Sequence, residues 1–229
     1  YKKNNYVIPE AAQSNGITIY KKNEDNSITP VTTVVDDFAG IDPTIFEHNG
    51  MWYLFATDGS VGSNSFLYIF YAKDPLSNWS HHELNPVKIN THNSRGGGEI
   101  FKEGESIIRP TQNCYPSYGT SLLFNKIENL SPHEFKETLV GEIKTSGESC
   151  YRGIHTFSRN KNSFIVDLKT NEFFPFARIV TLLRARLKSN DEGVFLENSL
   201  FKRLAVLFLF FVFVVLVYIF GWRALSLFV

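Results

Sequence analysis

The fold is decided by the stretch IDPTIFEHNGMWYLFAT at residues 41–57. Its apolar residues predict a strand at 44–47 and an aromatic strand at 51–56, joined by the tight turn His48-Asn49-Gly50. Asn-Gly between two such runs is a strong hairpin signal, because both central residues of a type I′ turn need a positive φ. The stretch therefore predicts an antiparallel hairpin that starts a β-sheet.

This pattern of strand, turn and strand recurs along the chain. Further strands are predicted at residues 5–10, 17–20, 29–35, 66–71, 79–84, 98–101, 105–109, 120–125, 135–140, 153–158 and 163–167. Four landmarks lie between 45 and 57 residues apart: Pro9-Glu10, Leu54-Phe55, Arg109-Pro110 and Val166-Asp167. Four-stranded propeller blades repeat every ~40–50 residues. Residues 1–172 are therefore predicted to be all-β, a partial β-propeller with about three to four blades.

Composition limits the classes of function. The chain has 229 residues with 15% aromatic content, which suits strands, and equal numbers of basic and acidic residues. A formal net charge of zero gives no sign of a nucleic-acid partner. Two cysteines, Cys114 and Cys150, are too few for a disulfide framework. One bridge and two buried thiols both remain open, and the thiols are favoured; no cofactor is expected.

The two ends of the chain differ in kind. It begins at Tyr1 almost inside a strand, without an initiator Met or a signal peptide, and an exposed strand edge is something folded proteins avoid. We therefore expect a fragment whose missing N-terminal sequence holds further blades. Residues 204–222 are 19 uncharged, mainly apolar residues, about 28 Å of helix and enough to span a bilayer core. The alternative is a buried helix or strand.

The predicted membrane segment and its surroundings complete the domain plan. A transmembrane helix is expected at 202–223, followed by a short tail at 224–229. Basic residues on its N-terminal side predict a single-pass membrane protein with its globular domain in the cytoplasm. Residues 173–201 are expected to hold a linker and an amphipathic basic α-helix at 179–188. That helix lies on an anionic membrane surface or packs against the domain.

Several polar residues stand out in the β pattern: Glu10, Asp42, Arg95, Arg109, Gln112 and His155. The innermost strand of each propeller blade lines the axis, so one polar residue per blade can reach a common pocket. Glu10 and Asp42 would supply the two carboxylates that glycoside chemistry needs. The alternative for each is a turn or cap residue.

A second group would bind the substrate. Arg109 and Gln112, followed by Tyr118, offer a guanidinium fork and an amide for sugar hydroxyls, and the glycines after Arg95 could admit a ligand close to the backbone. The alternative for Arg109 is a structural ion pair between blades. The histidines show no metal-ligand spacing, so no metal site is predicted.

As an ordered set, the motifs of residues 6–169 resemble the N-terminal propeller domain of plant glucosamine inositolphosphorylceramide transferases. The motifs are YVIPE at 6–10, DPTIF at 42–46, WYLF at 52–55, LSNW at 76–79, RPTQ at 109–112 and GIHT at 153–156. That domain is similar to the five-bladed propellers of the arabinanase and levansucrase group. The resemblance implies five blades, makes Glu10 and Asp42 axial acids, and likens His155 to a fifth-blade histidine near the axis; a core histidine is the alternative.

Two departures limit what the resemblance implies. The first blade, which carries a catalytic Asp in that group, and the glycosyltransferase domain of the plant proteins have no counterpart here. We therefore expect a membrane-anchored, carbohydrate-related domain that acts on or binds a glycan or a glycolipid headgroup, in a glycosyl-transfer or hydrolysis system with an upstream or partner catalytic domain. Whether the domain is itself an enzyme stays open. The alternative is a non-catalytic module that binds glycans or proteins.

Overall fold

The computed structural model describes residues 1–146, 151–160 and 162–170, all within the unit Tyr1–Glu172. This part of the chain is all-β, with strands and a short 3₁₀ turn at Ala12–Ser14, which confirms the predicted fold class. None of its helices is long and apolar enough to cross a membrane. The helices predicted at 173–201 and 202–223, and the tail at 224–229, lie outside the described residues.

Sheets A and B come first in the chain. Sheet A has the order β1-β2-β3 and consists of β1 (Asn5–Val7), β2 (Gly16–Lys22) and β3 (Ile28–Asp36). Sheet B has the order β4-β5-β6-β7, with β8 also paired to β6; its strands are β4 (Gly40–His48), β5 (Met51–Asp58), β6 (Phe66–Ala72), β7 (Ser80–His81) and β8 (Lys88–Ile89).

Sheets C and D follow. Sheet C runs from β9 outward through β10 and β11 to β12, with β9 (Phe101–Glu103), β10 (Ser106–Asn113), β11 (Ser121–Leu130) and β12 (Phe135–Lys144). Sheet D pairs β13 (Tyr151–Arg159) with β14 (Phe164–Thr170). The strand ladders in all four sheets are antiparallel, and each sheet uses one continuous stretch of chain, as propeller blades do.

The hairpin that the sequence predicts joins β4 to β5. Asn49 and Gly50 have φ values of 53° and 73°, so both central turn residues adopt the left-handed conformation that Asn-Gly favours. The Gly50 N–H also donates a hydrogen bond to Glu47 Oε1 (2.7 Å). The pairing of His48 with Met51 then sets the register of the two strands.

Sheet B contributes to two apolar cores because side chains alternate along a strand. Leu54 of β5 packs in one core with Ile17, Ile19 and other residues of sheet A. Its neighbours Tyr53 and Phe55 pack in the other core with residues of sheet C, including Ile107 and Ile127. Sheet B is therefore covered on both faces. Each large apolar side chain that is fully buried in this way stabilises the fold by about 1.5–3 kcal/mol.

Glycines bring sheets C and D together. Gly98 has φ 138°, and a Cβ there would lie 2.0 Å from the Phe157 carbonyl oxygen. Phe157 N donates to the Gly97 carbonyl (2.8 Å), so the backbones of the two sheets bond directly. From the sequence, these glycines could admit a ligand close to the backbone, and at Gly98 the backbone of β13 lies there instead.

The outer strand predicted at 79–84 is much shorter in the structure, at Ser80–His81. The Asn85 side chain explains why, since its Oδ1 accepts from Ile69 N (2.9 Å) and its Nδ2 donates to the Ile69 carbonyl (2.7 Å). The Asn85 amide therefore bonds to the Ile69 backbone in the gap between β7 and β8, where a longer strand was expected.

Cys114 directly follows β10 and is a buried free cysteine. Burial raises the pKa of its thiol, which disfavours the reactive thiolate. Cys150 lies outside the described residues.

Candidate functional site

An open cleft of about 530 Å³ lies where the four sheets meet. Each sheet supplies lining residues from its first strand or from the segment next to it: Tyr6, Ile8 and Glu10 beside sheet A, residues 42–45 in sheet B, Gly96, Gly98 and Glu99 before sheet C, and Thr156 in sheet D. Residues far apart in sequence therefore share one cleft. This is the convergence that a radial arrangement of sheets produces.

Asp42 occupies a bulge in β4. The register against β5 shifts between Ile41 and Thr44, and Asp42 has φ 47°, in the left-handed region. Bulges redirect a side chain out of the strand pattern and are common next to functional sites. Asp42 Oδ2 accepts hydrogen bonds from Arg95 Nε (2.7 Å) and Gln112 Nε2 (3.0 Å). Sheet C and its leading segment thus hold the Asp42 carboxylate in place.

Glu10 is exposed and adjoins Asp42 from sheet A. Its Oε2 accepts a hydrogen bond from the Asp42 backbone N–H (3.1 Å). Both predicted catalytic residues therefore line the same cleft, and this bond joins the Glu10 carboxylate to the backbone of Asp42.

Arg95 and Gln112 lie behind Asp42. Arg95 Nη1 donates to Asn64 Oδ1 (3.0 Å), and its guanidinium carbon lies 4.7 Å from the centre of the Tyr118 ring. Gln112 is fully buried, and its Nε2 also donates to the Gly96 carbonyl (2.6 Å). Gln112 Oε1 has no hydrogen-bond partner within the part of the chain that the structure describes. These contacts give Arg95 and Gln112 the geometry of residues that orient Asp42.

Tyr118 and His155 form a chain with Asp167. The Tyr118 hydroxyl is hydrogen-bonded to His155 Nε2, and His155 Nδ1 lies 2.8 Å from Asp167 Oδ2. Because the Tyr118 ring also contacts the Arg95 guanidinium, this chain adjoins the group that holds Asp42. Six of the seven predicted site residues are thereby brought into one connected network: Glu10, Asp42, Arg95, Gln112, Tyr118 and His155.

Arg109 is placed differently. It is buried, and it donates to Glu137 through Nε (2.8 Å) and Nη2 (2.6 Å) and to the Asn93 carbonyl through Nη2 (2.6 Å). Lys88 also pairs with Glu137. Burial by itself would raise the pKa of Glu137, but Arg109 and Lys88 outweigh burial and hold that pKa below its usual range. Arg109 lies in β10 and Glu137 in β12, so this buried ion pair joins two strands of sheet C, whereas the structural alternative expected from the sequence was a pair between blades. Lys88 of β8 links sheet B to the same cluster.

Some residues of the network were not predicted from the sequence as site residues. Asn64, Thr156 and Asp167 are polar residues in turns or strand patterns, where such residues are ordinarily solvated. The available signal was Asp167 beside Val166, at one of the landmark positions of the repeat. Within the described ranges, no group of three or more His, Cys, Asp or Glu residues could hold a metal ion.

The four sheets and their shared cleft define a β-propeller-like domain. A Bacteroides ovatus protein described as xyloglucan PUL GH43B has a similar fold, with a TM-score of 0.50 and 16% identity over 73% of this chain and 34% of its own. An exo-β-1,3-galactanase from Phanerochaete chrysosporium gives a TM-score of 0.50 at 7% identity, over 73% of this chain and 41% of its own. These similarities support the fold.

The family follows from the sequence itself. Residues 1–173 match the family model for "Glucosamine inositolphosphorylceramide transferase 1, N-terminal", and the chain belongs to that family. The glucosamine inositolphosphorylceramide transferase 1 of Oryza sativa subsp. japonica is 30% identical over 162 residues, which are 67% of this chain and 22% of the relative. The resemblance noted in the sequence is confirmed, and the domain is carbohydrate-related. The chain spans about a fifth of that relative's length.

Proposed function

We propose that the cleft binds the sugar part of a glycan or glycolipid, as part of a glycosyl-transfer or hydrolysis system, and that Glu10 and Asp42 contact that sugar. The observation that carries the proposal is the placement of Asp42, which lines the cleft in a left-handed bulge and is held by Arg95 and Gln112. The family and the fold neighbours support a sugar as the ligand.

The lining suits a sugar chemically. Carboxylates accept hydrogen bonds from hydroxyl groups, and Glu10, Asp42 and Glu99 all line the cleft. Tyr6 and Ile8 add apolar surface for the C–H faces of a ring. Two carboxylates on either side of a glycosidic bond are the minimum that hydrolysis requires. In this proposal Arg95, Gln112, Tyr118 and His155 support the carboxylates, and Arg109 stabilises the fold.

The test of binding is a glycan array probed with the full chain. Asp42→Asn keeps the size of the side chain, and asparagine tolerates the left-handed backbone conformation at this position. It is expected to weaken binding about tenfold by removing the charge. Asp37→Asn is the matched control, because Asp37 is exposed and has φ 51°. Equal binding by wild type and Asp42→Asn, or no glycan bound by the wild type, would contradict the proposal.

Turnover is tested separately with a panel of chromogenic glycosides and sugar nucleotides. If the domain is an enzyme, Glu10→Gln abolishes turnover and leaves binding nearly intact. Glu105→Gln is the control, since Glu105 is an exposed residue in the turn between β9 and β10. Glycan binding without turnover in any form identifies a non-catalytic binding module.

The proposal extends to the membrane and to the complete fold. Sheets A to D would belong to a five-bladed propeller, and residues 204–222 would anchor it as a single-pass membrane protein with the domain in the cytoplasm. The uncharged run between Lys202-Arg203 and Arg223 supports an anchor, and basic residues preceding it support this orientation. The full chain is then expected to stay in membranes after alkaline carbonate washing, and F213K/V214K to be released. Protease protection in sealed vesicles tests the orientation.

A further inference from the structure

Asp167 occupies an unusual place in sheet D. The ladder between β13 and β14 pairs Ile154 with Leu168 and then Phe157 with Val166, so His155 and Thr156 face the single residue Asp167. A bulge of this kind leaves a backbone N–H without a ladder partner. Asp167 Oδ1 accepts from the Thr156 backbone N–H and from Thr156 Oγ1 (3.0 Å). Its carboxylate therefore completes the ladder at the bulge.

The other oxygen of the same carboxylate fixes His155. Since a carboxylate only accepts hydrogen bonds, His155 Nδ1 must carry the proton that bonds to Asp167 Oδ2 (2.8 Å). In the neutral ring Nε2 is then an acceptor, and the Tyr118 hydroxyl donates a hydrogen bond to it.

The pKa shifts agree with this arrangement of protons. Burial would raise the pKa of Asp167, but the hydrogen bonds from Thr156 and His155 outweigh it and lower that pKa, so the carboxylate stays ionised. Burial is the main cause that raises the pKa of Tyr118, which keeps its hydroxyl protonated.

The hydrogen bonds of both Asp167 oxygens connect this residue to the cleft. Thr156 lines the cleft directly. Through the other oxygen, Asp167 fixes His155, which is hydrogen-bonded to Tyr118. The Tyr118 ring packs against the Arg95 guanidinium, and Arg95 Nε bonds to Asp42 Oδ2. One carboxylate in sheet D is thus linked to the candidate acid in sheet B.

We propose that Asp167 is a positioning residue of the glycan site, which fixes Thr156 in the cleft wall and, through His155 and Tyr118, the Arg95 that holds Asp42. The role in glycan binding rests on the proposed function, whereas the arrangement of protons does not. Asp167 contacts no ligand in this scheme and acts through the residues it orients.

The first test is the tautomer of His155 in the full chain, read by long-range ¹H–¹⁵N spectra of ¹⁵N-histidine at about pH 8, where an ordinary histidine is neutral. The His155 signals are assigned by their loss in His155→Gln. In the wild type we expect Nδ1 protonated and Nε2 unprotonated. Asp167→Asn places an amide N–H donor next to Nδ1. We expect the proton then to lie on Nε2 and not on Nδ1, as happens in serine proteases when asparagine replaces the aspartate that bonds to the catalytic histidine. A wild-type ring protonated at Nε2, or an unchanged tautomer in Asp167→Asn, would overturn the proposal.

The second test links Asp167 to the cleft. For the glycan bound most tightly on the array, Asp167→Asn should lower the affinity about tenfold. Asp167→Glu should restore part of it, and Asp25→Asn, an exposed change in the turn between β2 and β3, should have no effect. Unchanged affinity in Asp167→Asn rejects the positioning role while the proposed function stands.

A third readout needs no glycan. The Nε–H signal of Arg95 reports its bond to Asp42, and it should shift in Asp167→Asn and stay unchanged in Asp25→Asn. If the wild type binds no glycan, the proposed function fails and this signal still decides whether Asp167 is coupled to Arg95. An unshifted signal would refute that coupling.

Discussion

The protein contains two arginine–carboxylate clusters that look alike in sequence and differ in their surroundings. In the cleft cluster, Arg95 binds Asp42, and their side chains are 12% and 25% exposed. In the buried cluster, Arg109 and Lys88 bind Glu137, and the Arg109 and Glu137 side chains are only 2% and 1% exposed. The comparison separates a charge that water or a ligand can reach from one that only the protein contacts.

The hydrogen bonds sharpen this difference. Glu137 uses both oxygens for Arg109, and Arg109 adds the carbonyls of Asn93 and Ser94. Arg109 and both oxygens of Glu137 are therefore bonded to the protein itself. In the cleft cluster Arg95 and Gln112 both bind one oxygen of Asp42, Oδ2, and among the described residues no hydrogen bond reaches Oδ1, which leaves that atom to a ligand.

The largest expected effect comes from breaking the buried cluster. Arg109→Met removes the main partner of Glu137 and leaves a buried carboxylate with Lys88 alone. Removing one partner of a buried ion pair costs about 3–5 kcal/mol in the free energy of unfolding. Urea unfolding followed by intrinsic fluorescence measures the loss.

Arg159→Met is the control for this change. Arg159 pairs with Glu103, and both side chains are well exposed. An exposed pair contributes about 0–1 kcal/mol. Equal losses for Arg109→Met and Arg159→Met would show that burial does not distinguish the two kinds of pair here.

A smaller effect is expected in the acid dependence of stability. The pKa of Glu137 is lowered in the folded state, so the unfolded chain binds more protons in acid. The stability this group contributes is therefore present above its ordinary pKa of 4.5 and is lost as the pH falls through the lower folded value. Unfolding free energies measured from about pH 6 to about pH 3 should fall less steeply in Glu137→Gln than in the wild type.

The control for this pH dependence of the unfolding free energy is Glu128→Gln. The pKa of Glu128 is also lowered, chiefly by a hydrogen bond from Thr138, but Glu128 is an exposed residue. Its removal is expected to change the slope less than removal of Glu137. The reverse order would mean that the buried cluster is not the main source of acid sensitivity.

Local signals in the sequence predicted most of the fold. Asn49-Gly50 has one favourable turn geometry, and a short run of apolar and aromatic residues between turn signals indicates a strand such as β5 without tertiary information. The prediction was too long at 79–84, where Asn85 bonds to the backbone of β6 in place of a longer strand, and it was misplaced at 98–101, where β9 begins only at Phe101. A side chain that replaces a backbone partner in this way lies 16 residues away in sequence, so no local pattern indicates it.

The site was predictable in part, and the two arginines show why. Arg95 precedes a glycine and Arg109 a proline, each within a β pattern, so the sequence predicts both as ligand-binding groups. Their roles are set by partners 53 and 28 residues away, Asp42 and Glu137. Asp167 was missed for a related reason, because its importance comes from a bulge in the opposite strand.

The smallest effect on stability is expected at the cleft cluster, where Asp42→Asn keeps an oxygen that accepts from Arg95 and Gln112. Asparagine also tolerates the left-handed backbone at this position, so the bulge in β4 persists. We expect a loss below about 1 kcal/mol in the free energy of unfolding, close to that of Asp37→Asn. Glycan binding should nevertheless fall, as proposed above, because the ligand loses a charged acceptor. A stability loss as large as that of Arg109→Met would show that Asp42 serves the fold, and the contrast between the two clusters would then disappear.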